Sequence, residues 1–344
     1  MRKVSLVKGD DRRKNIKDAL DLIKDDLEIV IKKAKNILIK PNLTAVKGYE
    51  IANIDVAVID ELIKFINFNF GLKNIVISEG SGSAFYSQTS TEQVFKDYGY
   101  FNLSKKYNNV KIEFIEQYSD FFKIPIKTCH DDWFVEVAER VKNFDVKISV
   151  GIPKMHNYAI ATFGIKNMMG MLKPECMSRI HGLKNFDENG PSVFNKIPTS
   201  IISRMRRIFP VFTNWLVSAT SEYKKGVRII HDNIFNVIKE IYPDVVLLDG
   251  YYCMEGNGPV DGIGVKMNFA VASTDALKAD ALAARCIGLD PDYIPYLKKF
   301  NGYGDSSISG LVGERLENVI KPLKKHSSYK IQKKYCGALK LIRT

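Results

Sequence analysis

The chain reads as an α/β protein: a mainly parallel sheet with helices on both faces, divided into two lobes. Three observations point there. Short β-branched runs alternate with segments of helical apolar spacing along most of the 344 residues, which is the pattern of strand–helix–strand units. Five of those runs end in polar clusters, as strands do when their carboxyl ends border a ligand cleft. The composition, 45% hydrophobic and 26% charged, suits a soluble chain with a full core.

Taken in order, residues 3–8 form a first strand and Ile16 to Ile31 a helix. The strand from Asn36 to Ile39 ends at Lys40-Pro41-Asn42-Leu43, where proline stops it. A helix follows with Val58, Ile59, Leu62, Ile63 and Ile66 on one face. The strand 74–78 runs into Glu79-Gly80-Ser81-Gly82-Ser83, and a helix near Thr91 to Tyr98 precedes a strand from Val110 to Ile115. Trp133 to Val141 is predicted as a helix before the strand Val146 to Val150. Later, Asn233 to Ile241 is helical, and a strand from Asp244 to Leu248 stops at Asp249-Gly250. A glycine-rich loop around Glu255 follows. The strand from Met267 to Ala272 then leads to Asp275 and a small-residue helix, Ala276 to Ile287. The expected lobes are 1–145 and 146–320, the second carrying an insertion over 183–230, with a basic tail at 321–344.

The net charge of +12 is mostly a tail property: eight Lys or Arg and no Asp or Glu lie between Lys321 and Thr344. That tail is expected to be solvated, and with no nucleic-acid module beside it, nucleic acid is not the expected partner. The start, MRKVSLVKGDDRRKN, turns polar too early for a signal segment, so a cytoplasmic location is expected. The apolar stretch Ile197 to Ala219 is broken by Arg204, Arg206, Arg207 and Pro210 and fails as a transmembrane span. Within the insertion, Ser203 to Trp215 is basic and aromatic. It suits a lid, a membrane-surface patch, or a subunit contact that would make a homo-oligomer. Cysteines 129, 176, 253, 286 and 336 are scattered without a CxxC pair, which argues against disulfides and against zinc or iron–sulfur sites.

The stretch from Lys147 to His181 carries the strongest chemical signal. It breaks from a β run at Gly151-Ile152-Pro153 and then presents Lys154, His156, Lys166, Asn167, Lys173 and His181. Lys40 after an apolar strand reads either as a solvated strand end or as a point charge for a carboxylate or phosphate. Beside Lys154 and Lys166, His156 should lose its proton readily, which suits a general base. Gly80 and Gly82 are candidates for cofactor contact in an anion nest, although a plain glycine-rich turn fits equally. Phe85 replaces the third glycine of a dinucleotide fingerprint. Met168, Met169 and Met171 read as core filler, and Asp275 and Asp280 as helix capping and packing. Asp249, Glu255 and Asp275 are the candidates to supplement the histidines as metal ligands, but no HExxH-type spacing supports this, and no metal is predicted.

Several of these segments, in this order and spacing, resemble the DUF362 family over about residues 36 to 310. They are Lys40-Pro41-Asn42-Leu43, Lys154-Met155-His156, Gly164-Ile165-Lys166-Asn167-Met168-Met169-Gly170, Asp249-Gly250, Asp275-Ala276, Asp280-Ala281 and Gly288-Leu289. Some members of that family look fused to ferredoxin-type iron–sulfur modules. This chain lacks the cysteine run they need, so no cluster is carried over. The family is also distantly similar to the lactate racemase superfamily, in which a nickel-pincer nucleotide and paired histidines exchange a proton or hydride at a 2-hydroxy acid. That likeness directs attention to Lys154, His156, Lys166 and His181. None of them matches the lysine that attaches the cofactor there, so nickel is not predicted and the cofactor stays unknown.

The function expected from the residues is an enzyme acting on a small anionic molecule by isomerase- or lyase-like proton transfer. Lys40, Lys154 and Lys166 would hold the carboxylate or phosphate and His156 would move the proton, with Asp249 or Glu255 orienting it. Asn42, Asn167, Asp275 and His181 complete the substrate-binding candidates. Two other classes stay open: a redox or cofactor-handling accessory protein, and a nucleic-acid or membrane-surface binder using the basic segments.

Overall fold

The computed structural model of the chain describes residues 1–336 apart from 83, 85, 86, 88, 130 and 183–217. The strands are β1 (Val4–Lys8), β2 (Asn36–Pro41), β3 (Asn74–Glu79), β4 (Val110–Phe114), β5 (Phe121–Lys127) and β6 (Asp132–Ala138). They continue with β7 (Val146–Gly151), β8 (Lys154–His156), β9 (Ile160–Thr162), β10 (Val245–Glu255), β11 (Ile263–Ser273) and β12 (Leu311–Gly313). The main sheet runs β12-β1-β11-β10-β7-β2-β3-β4. From β10 to β4 every pairing is parallel, while β11 is antiparallel to both β1 and β10.

Period-2 alternation sorts the strand residues between two cores. On β10, Val245 and Leu247 join one core, and Val246 and Leu248 the other. The first is closed by α1 (Arg12–Leu22), α2 (Lys24–Ile31) and α3 (Val56–Phe70), each with buried aliphatic residues at helical spacing. Side-chain caps start several helices: Asp11 accepts from the Lys14 amide and Asp55 from the Ala57 amide. Helices α4 (Thr91–Asp97) and α5 (Phe101–Lys106) lie between β3 and β4 in the chain.

The opposite core takes α6 (Gly164–Asn167), α7 (Met177–Ile180), α8 (Ser221–Ile238) and α9 (Ala276–Cys286), followed by α10 (Pro295–Lys299) and α11 (Tyr329–Tyr335). Helices therefore cover both faces of a largely parallel sheet, as the alternation predicted. The segments 1–145 and 146–320 are interleaved in that sheet, since β1 lies between β11 and β12 while β2 pairs with β7.

Four sequence expectations need correction. Trp133 to Val141 is not a helix: Asp132–Ala138 is β6, paired antiparallel with β5 in a separate two-stranded sheet. Val135 and Val137 are buried while Asp132 and Trp133 are exposed, and this alternation reads as a strand once β5 is there to pair. The helix expected over Ile16 to Ile31 is two, meeting at Ile23. β10 does not stop at Asp249-Gly250. It continues to Glu255 after a register shift between Gly250 and Tyr252, because β11 pairs along its whole length.

The described part of the basic tail is not a solvated tail. Lys321 and Leu323 bond through their amides to the carbonyls of Cys286 and Ile287, and Gln332 in α11 is buried. Of the 183–230 insertion, the segment Ser203 to Trp215 lies outside the described residues, as does Phe85. Among the described residues no helix is long and apolar enough to cross a membrane, and no disulfide joins the five cysteines.

Candidate functional site

The parallel strands β2, β3 and β7 end on one side of the sheet, and β8 and β9 fold over that end. Between them lies a cavity of about 290 Å³, near the lower end of small-ligand pockets (~300–1,000 Å³). A wider, more open trough of about 460 Å³ lies at the β1–β12 edge, where Lys8, Asp18, Asp21 and Glu314 line it.

One floor of the cavity is a chain of buried polar groups. The Lys40 ammonium pairs with Glu79 Oε2 at 2.5 Å and also donates to Asn167 Oδ1 (2.8 Å) and the Pro41 carbonyl (3.0 Å). All three of its donors are therefore spent inside the protein. Glu79 accepts from the amides of Leu43 and Gly80 as well. Burial pushes the Lys40 ammonium down and the Glu79 carboxyl up, and their mutual attraction offsets both. Asn167 is the hub: its Nδ2 donates to the Lys40 carbonyl, Ser149 Oγ and the Val150 carbonyl, while its Oδ1 also accepts from Asn42 Nδ2. Asn42 in turn accepts from Lys154 Nζ at 2.5 Å.

The pair is sealed by Gly170, whose carbonyl accepts from the Gly80 amide. A Cβ at Gly170 would lie 1.6 Å from Glu79 Oε1 and 2.6 Å from Lys40 Cε. Only glycine lets the backbone come this close.

Lys154 and Lys166 are different. Lys154 is 1% exposed and donates to Asn42 and the Ala52 carbonyl, yet it makes no ion pair among the described residues. Burial lowers it to about 7, helped by the nearby charges of Lys166 and Lys40. Lys166 is half-buried, with no hydrogen bond or ion pair among the described residues, and burial lowers it to about 8. It is carried by the short turn α6, which is fastened by Asp280 from α9: the Gly164 amide donates to Oδ1 at 2.8 Å and the Ile165 amide to Oδ2 at 2.9 Å.

The histidines are set in defined tautomers by backbone contacts. His156 Nδ1 accepts from the amides of Tyr158 (3.0 Å) and Ala159 (3.2 Å), so the neutral ring carries its proton on Nε2. Ile160, the first residue of β9, holds φ at +70°, a strained value for a β-branched residue, next to the turn that supplies these amides. His181 Nδ1 faces the Met177 carbonyl at 2.7 Å; a carbonyl only accepts, so this nitrogen carries the proton and Nε2 keeps its lone pair. The two rings are stacked, centroids 5.7 Å apart. Burial and the Lys166 charge hold His156 well below the usual imidazole range and His181 down to about 4. A third histidine, His326, lines the cavity from the C-terminal segment, its Nδ1 accepting from the Ser328 amide.

Of the residues singled out from sequence, Lys40, Asn42, Gly80, Gly82, Lys154, His156, Lys166, Asn167 and His181 all border this cavity. Asp249, Glu255 and Asp275 do not. Asp249 shares the parity of Val245 and Leu247, so it projects to the other face of the sheet, where it pairs with Arg12 at 2.9 Å. Glu255 accepts from the Lys324 amide, and neither it nor Asp249 orients His156. Asp275 follows β11, whose antiparallel direction carries it to the opposite end of the sheet, and it caps α9 by accepting from the Lys278 amide. The base role expected of His156 also fails on geometry, because its Nδ1 is taken by two donors and its Nε2 bears hydrogen.

Sequence reasoning missed Thr44, Asn157, Thr162, the segment Asn257 to Asp261, and His326. Asn257 to Pro259 stood in a glycine-rich loop already noted, and His326 is one of only five histidines, which was the available signal. Among the described residues no group of three or more His, Cys, Asp or Glu is placed to hold a metal ion.

No curated protein matches the chain. Among solved structures, the lactate racemase apoprotein from Thermoanaerobacterium thermosaccharolyticum is similar at 15% identity and a TM-score of 0.45. The match covers 81% of this chain and 56% of that one, so this chain spans little more than half of its length. The family described as "Domain of unknown function (DUF362)" matches residues 37–285, most of the chain and every stretch that carries Lys40, Lys154, His156, Lys166 and His181, and the chain belongs to that family.

Proposed function

We propose that the cleft binds a small organic anion and moves a proton on it, the chemistry of an isomerase or lyase. The observation that carries this reading is the pair of ammonium groups, Lys154 and Lys166, that border one cavity without an ion-pair partner among the described residues. A buried cation normally has a counter-charge in the protein. Here the ligand supplies it.

The histidines divide the remaining work. His181 offers the Nε2 lone pair and is the proton acceptor. His156 offers Nε2–H and donates to the ligand oxygen on which charge develops, a fixed dipole that needs no reorganisation. Lys40 is a structural cation that holds Asn167, since its donors are consumed by Glu79, Asn167 and Pro41. The backbone, rather than a carboxylate, orients both rings.

A titration followed by NMR of the histidine ring nitrogens tests this. Small carboxylates and phosphate esters should shift the signals of His156 and His181, and Lys166→Met should weaken the response at least tenfold. A panel that leaves both rings unperturbed contradicts the reading.

A further inference from the structure

The lysines of the cleft fall into a closed set and an open set. Lys40 and Glu79 neutralise each other at 2.5 Å and have no donor to spare. Lys154 and Lys166 are the open set: both border the cavity, and each lies close enough that the Lys166 charge disfavours protonation of Lys154. The other titratable groups around this space are His156, His181 and His326, which contribute ring nitrogens, and Asp261, which is exposed at the rim.

A ligand with one negative charge would compensate one ammonium and leave the other uncompensated, beside a like charge. A ligand with two would compensate both. Resting on the anion-binding reading above, we infer that the cleft selects a small dianion, two carboxylates or one phosphoryl-type group, held across Lys154 and Lys166. A further consequence is linkage to protons. With Lys154 lowered to about 7 and Lys166 to about 8, a share of each is uncharged near neutral pH. A bound dianion raises both values, so binding takes up protons, and affinity falls as pH rises through about 7 and 8.

Calorimetry at pH 7 with acetate, malonate and sulfate separates the cases. Malonate is acetate with a second carboxylate, and sulfate places two charges on one centre. Malonate or sulfate should bind at least tenfold more tightly than acetate. Proton uptake should appear as a difference in binding heat between two buffers of unlike ionisation enthalpy. Whichever of the two dianions binds better reports whether the charges sit on one centre or two. Lys166→Met should cut the dianion advantage below threefold with an unchanged thermal melt, and Lys154→Met provides the same test if either variant folds poorly. Acetate binding as tightly as both dianions overturns this inference alone and leaves the anion site standing. An advantage that survives both substitutions also overturns it. No binding by any of the three overturns the site itself.

Discussion

The imidazole rings of His156 and His181 lie nearly parallel, 5° apart in plane with centroids separated by 5.7 Å, yet they differ in which nitrogen bears hydrogen. His156 has its Nδ1 closed by two amide donors, and His181 has its Nδ1 closed by a carbonyl. Two adjacent histidines thereby become one donor and one acceptor without any carboxylate. Glutamine separates these roles, because its amide retains a donor but is no base. His181→Gln should cost about 10²–10⁴ in the proton-transfer step, while His156→Gln, which keeps an N–H, should cost less than His156→Ala. Equal losses for the two glutamine variants contradict the assignment.

Gly170 and Gly82 provide a matched pair. A methyl group at Gly170 would collide with Glu79 Oε1 at 1.6 Å, whereas at Gly82 it would meet Met177 Cγ at an ordinary 3.5 Å. Gly170→Ala should break the buried Lys40–Glu79 pair and lower stability by about 3–5 kcal/mol. Gly82→Ala should be close to neutral. Denaturant melts of the two variants check this.

The Lys40–Glu79 pair itself is expected to be strongly non-additive. Lys40→Met or Glu79→Leu alone strands a buried charge and should cost about 3–5 kcal/mol. The double variant should recover much of that loss, and additive losses in a double-mutant cycle contradict the pairing.

The extent to which this site was legible in the sequence follows from topology. Lys40 with Asn42 stands at the end of the parallel strand β2, and Lys154 with His156 just beyond the parallel strand β7, so the strand-end rule points to them, whereas Lys166 and Asn167 follow the antiparallel strand β9 and are legible only by residue type. Asp275 failed because β11 runs antiparallel, and a strand–helix alternation does not reveal the direction of one strand. Asp249 fails by side-chain parity, a signal carried by Val245, Leu247 and Asp249 themselves. His326 arrives from a segment of the chain beyond the family match, and no local pattern places it at the cleft. The β5–β6 hairpin was missed because neither strand shows its pairing partner in its own sequence.

His231 supplies a test of pH dependence away from the cleft's chemistry. It is buried in α8, stacked near Tyr296, and neither ring nitrogen has a hydrogen-bond partner among the described residues. Burial lowers it from 6.5 to about 3. A depressed native value means that the unfolded chain binds the proton first. The contribution to stability is complete above pH 6.5 and is lost as pH falls from there toward 3. His231→Phe removes the titrating group and two unpartnered polar atoms. It should raise stability at neutral pH by about 1–3 kcal/mol and flatten the decline between pH 6.5 and 4.5. Urea melts at the two pH values measure both effects, and an unchanged decline contradicts the assignment.

The proposed chemistry is proton transfer on a bound anion with His181 as acceptor. Its most direct test is deuterium incorporation in D₂O, followed by NMR, into those small organic acids that titrate His156 and His181. The wild type should exchange a C–H next to the anionic group, and His181→Gln should bind the same compound while exchanging at least a hundredfold more slowly. Wild-type exchange that persists undiminished in His181→Gln, or no exchange of any compound that binds, would contradict it.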